Sequence, residues 1–337
     1  MKTLLKLLLL LVVLIAALAG IVAFGLSREI REPPLSGTAQ RGQLKVGSLQ
    51  RSFLFYSPKQ TAASKQAAHL PLLFILHGSN ANGVFMRKTS LYRFDELADR
   101  EGVIVVYPDG YRKFWNDCRK SADYAANQKN IDDPAFFSAM IDYFVTKYGA
   151  DPDRVYALGV SNGGHMVYRL GLELPDKFAA LAAVAANLPV DSNLDCTQSG
   201  QPVSIAILNG TQDPINPFNG GVVNIFGNSS RGAVRSASDT TAYWAGLAGA
   251  QLVEAQQLPD VDGDPATSIR RDIYRGPQGV EVRLYTLQGS GHVLPAQLPF
   301  FLRQASKLLL GEAAGDMESS VELWDFFNTH TLARGAD

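Results

Sequence analysis

A serine hydroxyl is a poor nucleophile near neutral pH and needs a neighbouring base to take its proton. Gly159-Val160-Ser161-Asn162-Gly163 sets Ser161 between two glycines in the G-x-S-x-G spacing of a nucleophile elbow. That turn needs a strand directly before it and a helix directly after it, with glycines where the backbone bends sharply. Arg154-Val155-Tyr156-Ala157-Leu158 reads as the strand, and Gly163-Gly164 leads into His165-Met166-Val167-Tyr168-Arg169 as the helix. The bare string is weak evidence, and a serine in an ordinary strand-to-helix turn is the bland alternative. With these flanks the pattern predicts the Ser161 hydroxyl at the carboxyl edge of a sheet, beside the Asn162 amide.

The base must be a histidine on a loop that reaches the same edge. Of His69, His77, His165, His292 and His330, the best placed is His292, in Gln288-Gly289-Ser290-Gly291-His292 directly after a strand. His165 follows Ser161 by one helical turn and reads as packing, His330 follows the last helix, and His69 lies in a polar, Ala-rich stretch. A catalytic imidazole needs an acceptor that fixes its tautomer. Val203 to Leu208 runs into Asn209-Gly210-Thr211-Gln212-Asp213-Pro214, which makes Asp213 the third member, in the chain order serine, aspartate, histidine. An oxyanion hole needs two backbone N–H groups, one after the nucleophile and one on the loop after an early strand. These are the amides of Asn162 and of Ser79, in His77-Gly78-Ser79-Asn80, where His77 reads as a structural residue bonding the loop backbone. No metal is expected. Asp260, Asp262 and Asp264 have the spacing that opens a calcium loop, but Pro265 and Arg271 stand where the glycine and the last acidic ligand belong.

The elements that must hold these residues follow a regular alternation. Leu44 to Val46 and Ser52 to Tyr56 are short extended runs. Pro71 to Leu76 and Val103 to Tyr107 are apolar runs of the kind buried on both faces of a sheet, followed by Val155 to Val160, Phe178 to Ala185 and Val203 to Leu208. Helical spacing recurs over Tyr92 to Arg100, Pro134 to Tyr148 with Asp133 as N-cap, Gly164 to Leu174, Thr240 to Ala248 and Val321 to Phe327. Ile269 to Tyr274 and Val280 to Leu287 read as a hairpin. The chain is therefore α/β, with a mostly parallel central sheet and helices on both faces, in one domain over residues 44–337.

Composition narrows the function classes. The chain has 337 residues, and 31 Lys+Arg against 32 Asp+Glu leave a formal charge of −1, which lacks the basic surplus of a nucleic-acid binder. No G-x-x-x-x-G-K-[ST] occurs, and no G-x-G-x-x-G follows a strand, so nucleotide binding has no support and no cofactor is expected. Lys2 and Lys6 precede a stretch without charge from Leu7 to Leu26, the build of an export signal. Residues 1–27 read as a signal peptide, cleaved near Ala17-Leu18-Ala19, or as an uncleaved signal-anchor holding the protein on the membrane through residues 7–26. Either way the domain is exported, to the periplasm or beyond, behind a linker over residues 28–43. An oxidising compartment favours a disulfide between Cys118 and Cys196 over two buried thiols.

Several of these motifs also carry a family resemblance. Leu73-Phe74-Ile75-Leu76-His77-Gly78, Val106-Tyr107-Pro108-Asp109-Gly110, Trp115-Asn116, the Ser161 and Asp213 motifs and Gly289-Ser290-Gly291-His292 resemble the polyhydroxybutyrate depolymerase-like esterases, relatives of feruloyl esterases. The resemblance spans about Leu72 to Phe327. It implies an α/β-hydrolase fold, exported serine esterase activity and the same Ser161, Asp213, His292 triad. It also implies a substrate site lined by Trp115, Asn116 and the loop carrying Phe218. Val293-Leu294-Pro295 departs from the Thr-Trp-Pro that often follows the family's histidine, which alters the acyl pocket. No segment after Phe327 is expected to form a polymer-adsorption domain. The expected substrate is a small ester or oligoester, hydroxybutyrate esters favoured over feruloyl or acetyl carbohydrate esters. A non-catalytic binding protein on the same fold is the alternative of another class.

Overall fold

The computed structural model describes residues 24–59 and 69–332. The leader expected over residues 1–27 lies almost wholly outside them. Among the described residues no helix is long and apolar enough to cross a membrane.

A ten-stranded sheet forms the centre of the fold. Its spatial order is β1 (Thr38–Val46), β2 (Leu49–Ser57), β4 (Ile104–Pro108), β3 (Leu70–Leu76), β5 (Ala150–Val160), β6 (Ala180–Val184), β7 (Ser204–Gly210), β12 (Glu281–Gln288), β11 (Ser268–Arg275) and β10 (Gln251–Gln257). The six strands from β4 to β12 pair in parallel, while β1, β2, β10 and β11 pair antiparallel at the two edges. The expected α/β architecture and the β11–β12 hairpin are both present. A two-stranded ribbon, β8 (Gly221–Val222) with β9 (Ala233–Val234), lies in the connection after β7.

The continuous apolar strands are buried on both faces because helices cover both. On one face, α4 (Asp133–Tyr148), α5 (Asn162–Glu173) and α6 (Ala237–Ala248) pack Phe137, Met140, Met166 and Trp244 against Leu72, Phe74 and Leu76 of β3. On the other, α1 (Gly83–Thr89), α2 (Arg93–Glu101) and α8 (Ser319–Phe327) pack Met86, Phe94, Leu97 and Trp324 against Leu73 and Ile75. Alternate β3 side chains thus serve opposite cores, as the period of a strand requires. The short α3 (Ala125–Gln128), the amphipathic α7 (Phe300–Leu309) and a helical segment over residues 24–29 also lie among the described residues.

Among the boundaries that differ from the sequence reading, two have a cause in particular contacts. β1 begins at Thr38, inside the stretch read as a linker over 28–43, because its residues pair along the whole of β2. The N-cap of α4 is Asp132, which accepts from Ala135 N at 2.9 Å. Asp133 is drawn inward instead, where Arg51 at 2.7 Å and the Asn116 amide at 2.7 Å satisfy its buried carboxylate.

Candidate active site

Ser161 occupies the turn between β5 and α5 with φ 58° and ψ −120°. This positive φ is strained for a residue with a Cβ, at a cost of order 1–3 kcal/mol. The elbow is held by Ser161 N donating to Val184 O at 2.9 Å and His165 N donating to Ser161 O at 2.9 Å. Only glycine fits on either side. A Cβ on Gly159 would lie 2.1 Å from Gly163 O, and one on Gly163 would lie 2.6 Å from Leu76 O. The G-x-S-x-G spacing is thus a packing requirement between β5, α5 and the end of β3.

The histidine and aspartate come from the ends of neighbouring strands. His292 Nδ1 and Asp213 Oδ2 are 2.7 Å apart, with the His292 side chain 6% and the Asp213 side chain 1% exposed. Asp213 Oδ1 also accepts from Ile215 N and Asn216 N, each at 2.8 Å, so the loop after β7 fixes the carboxylate. The loop after β12 is fixed in turn by Gly291 N donating to Glu312 O at 2.8 Å and His292 N to Leu310 O at 2.7 Å. An ionised carboxylate only accepts, so Nδ1 carries the ring proton and Nε2 keeps its lone pair. Ser161 and His292 line one cavity of about 450 Å³, together with His77, Gly78 and Ser79.

The loop after β3 presses on the nucleophile, a Cβ on Gly78 falling 3.4 Å from Ser161 Cβ. His77 holds this loop. Its Nδ1 lies 2.7 Å from Gly78 O, and its Nε2 accepts from Gly110 N at 2.9 Å. Burial pushes its pKa down to about 4, so it stays neutral, the structural role expected of it. His165 is likewise held well below the ordinary histidine range, first by burial and then by the charges of Arg119 and His292. Ser79 Oγ is buried and, among the described residues, has no hydrogen-bond partner.

Trp115 and Asn116 are placed differently from expectation. Trp115 is fully buried, donating from Nε1 to His77 O at 2.9 Å and from its backbone N to Asn162 Oδ1 at 2.9 Å. Asn116 is spent on Asn130 Oδ1 and Ile131 O. Trp115 therefore braces the loop after β3 and the Asn162 side chain, Asn116 ties its own loop to the segment entering α4, and neither lines the cavity. Phe218 also lies outside its walls, packed on the core face that holds α6.

Sequence reasoning missed the support beneath Asn162. Its Nδ2 donates to Asp117 Oδ2 at 2.6 Å, and Asp117 is paired with Arg119 at 2.6 Å. Against the pull of burial, Asp117 holds the Arg119 guanidinium above its ordinary value. Cys118 lies between these two charges and forms a disulfide with Cys196, Cα atoms 5.1 Å apart. A polar pair flanking a cysteine beside Trp115-Asn116 was the available signal. Among the acidic residues weighed for calcium, Asp264 instead pairs with Arg303. Asp260 and Asp262 gather with Asp316, their carboxylate oxygens within 4.8 Å of one another.

The fold defined by this sheet and these loops is that of the α/β-hydrolases. The acetyl xylan esterase from Aspergillus awamori has the same fold, with a TM-score of 0.50 and 17% identity over 77% of this chain and 96% of that one. Residues 51–191 match the family model described as Esterase PHB depolymerase. The putative esterase NocK of Nocardia uniformis subsp. tsuyamanensis is 27% identical over 79% of this chain and 76% of its own length. Feruloyl esterase B of Talaromyces funiculosus is 26% identical over 76% of this chain and 72% of its own. The poly(3-hydroxybutyrate) depolymerase of Ralstonia pickettii is 26% identical over 58% of this chain, which spans only 40% of that relative. The chain is thus similar over residues 51–191 to the family described as Esterase PHB depolymerase, and over about three quarters of its length to relatives named as esterases.

Proposed function

We propose that this protein is an exported serine esterase that hydrolyses carboxylic esters through an acyl-Ser161 intermediate. The observation that carries the reading is the 2.7 Å contact between His292 and Asp213 in a cavity shared with Ser161. His292 Nε2 takes the Ser161 proton as Oγ attacks the ester carbonyl carbon. The oxyanion that forms accepts from the amides of Ser79 and Asn162, and the unsatisfied Ser79 hydroxyl is a third donor within the same loop. Nε2–H then protonates the leaving alkoxide. Water, deprotonated by the same nitrogen, attacks the acyl-serine and releases the acid. Asp213 keeps the tautomer and offsets the charge of the imidazolium.

Cavity chemistry bears on the acyl group. Met86, Ile215, Phe226, Leu294 and Leu302 contribute to the wall, which suits an apolar acyl chain and would leave an acetylated sugar's hydroxyls unpaired. Leu294 stands where the family often has its tryptophan, so the departure falls on the wall itself. Hydroxybutyrate-type oligoesters are the favoured substrates. Feruloyl esters are the second reading, since relatives named feruloyl esterase B match this chain and an aromatic acyl group fits an apolar wall. The Cys118–Cys196 bridge supports an oxidising compartment outside the cytoplasm.

The test is turnover of p-nitrophenyl butyrate by wild type and Ser161→Ala, followed by a panel of hydroxybutyrate oligomer, feruloyl and acetyl esters. Turnover by wild type and its loss in the variant are expected. A wild type inactive on the whole panel would favour the non-catalytic binding protein, and an active variant would move the nucleophile elsewhere.

A further inference from the structure

We propose that the mouth of this cavity docks on a lipid bilayer, with α7 lying in the interface, and that ester substrates enter from the membrane. The second half of this statement rests on the esterase reading above; the first does not. α7 has no buried residue. Phe300, Leu308 and Leu309 are 67%, 84% and 56% exposed, a face that a water-facing helix would make polar. Leu302 and Leu309 of the same helix line the cavity, so the exposed face runs without a break into the wall beside Ser161 and His292. Phe226 and Phe85, 76% and 57% exposed, extend that apolar surface from other parts of the cavity lining.

The covering partner is indicated by where the leader joins the domain. Glu29 accepts from Phe301 N through Oε1 and from Leu302 N through Oε2, both at 2.8 Å, and so caps the N-terminus of α7. Gly25 packs so closely on the Phe301 ring that an added Cβ would fall 2.3 Å from it. Phe24, where the described chain begins, is 64% exposed. The uncharged stretch from Leu7 to Leu26 therefore ends against this helix, and its composition is that of a segment with high affinity for a hydrocarbon core. Phe24 and the exposed face of α7 thus lie where the uncharged stretch enters the domain. The basic residues of α7 add no attraction to anionic lipid, because Arg303 pairs with Asp264 and Glu312 and Lys307 pairs with Glu312. Docking is thus apolar insertion, effective on zwitterionic lipid and little weakened by salt.

The test uses the full chain with Ser161→Ala and Leu308→Trp, mixed with phosphatidylcholine vesicles whose acyl chains are brominated. The native tryptophans Trp115, Trp244 and Trp324 are buried and supply a constant background. The added indole is expected to shift to the blue and to be quenched, equally at low and high salt. Emission unchanged on vesicle-bound protein, absence of vesicle binding, or a blue shift that grows with protein concentration without lipid would each overturn the docking. The last would mean that a second copy covers the face. In an otherwise wild-type chain, Phe300→Asp with Leu308→Asp, neither lining the cavity, should leave p-nitrophenyl acetate turnover unchanged. Hydrolysis of a long-acyl ester within the vesicles should fall about tenfold or more. Equal losses on both esters, or no loss, would overturn substrate entry from the membrane. Quenching without any esterase activity would uphold the docking and remove the esterase reading alone.

Discussion

Replacing Asp213 with asparagine separates the carboxylate's two duties. Oδ1 accepts two loop amides at 2.8 Å, while Oδ2 faces His292 Nδ1 at 2.7 Å. An asparagine keeps an oxygen for the loop amides but presents an NH₂ to the ring. The imidazole must then turn its Nδ1 lone pair toward residue 213 and carry its proton on Nε2, where it cannot act as a base. The loop should stay folded while the tautomer inverts. In the serine-protease template the same change costs about 10⁴ in kcat, or ~5.4 kcal/mol of transition-state stabilisation. The assay is kcat for p-nitrophenyl butyrate at pH 7.5 (about one unit above the ordinary histidine pKa), with thermal unfolding as control. A rate within about tenfold of wild type, at unchanged stability, would refute the role given to Asp213.

Other consequences follow from particular contacts. Ser79→Ala keeps the backbone amide and removes only the unsatisfied hydroxyl; kcat should fall about tenfold or more with KM unchanged, and an unchanged kcat would confine the oxyanion hole to its amides. Removing the Cys118–Cys196 bridge by Cys118→Ala with Cys196→Ala releases a separation of 78 residues, and urea unfolding should show a loss of up to about 4.5 kcal/mol; an unmoved midpoint would contradict this. Burial raises Asp95 to about 6, against the lowering effect of Arg87. The folded protein therefore holds this proton more tightly than the unfolded chain, so stability should fall by roughly 3 kcal/mol as pH rises from about 4 to above 6. Asp95→Asn should flatten that part of the stability–pH curve, and a curve unchanged by the substitution would contradict the assignment.

Much of the site was legible because its chemistry is tied to local rules. Gly159 and Gly163 mark backbone approaches that no other residue allows, and Ser161, Asp213 and His292 each follow a strand whose apolar run is plain in the sequence. The elements that escaped notice lack such a signal. β10 is an exposed edge strand rich in glutamine, without the alternation of a half-buried strand. α7 buries nothing, so its apolar residues read as scattered until the cavity mouth is seen beside them. The family resemblance alone assigns Trp115 and Asn116 to the substrate site, yet burial and hydrogen bonds commit them to the backbone. The Asp117–Asn162 hydrogen bond depends on a fold that brings residue 162 beside residue 117, which spacing along the chain does not reveal.

The most direct measurement of the central claim is covalent capture. The native protein is treated with a fluorophosphonate, which reacts with a serine only when a base has activated it, and the adduct is mapped by peptide mass spectrometry. A single adduct on Ser161 is expected, abolished by His292→Ala. No adduct, or one on another serine, would contradict a catalytic centre built on Ser161, His292 and Asp213.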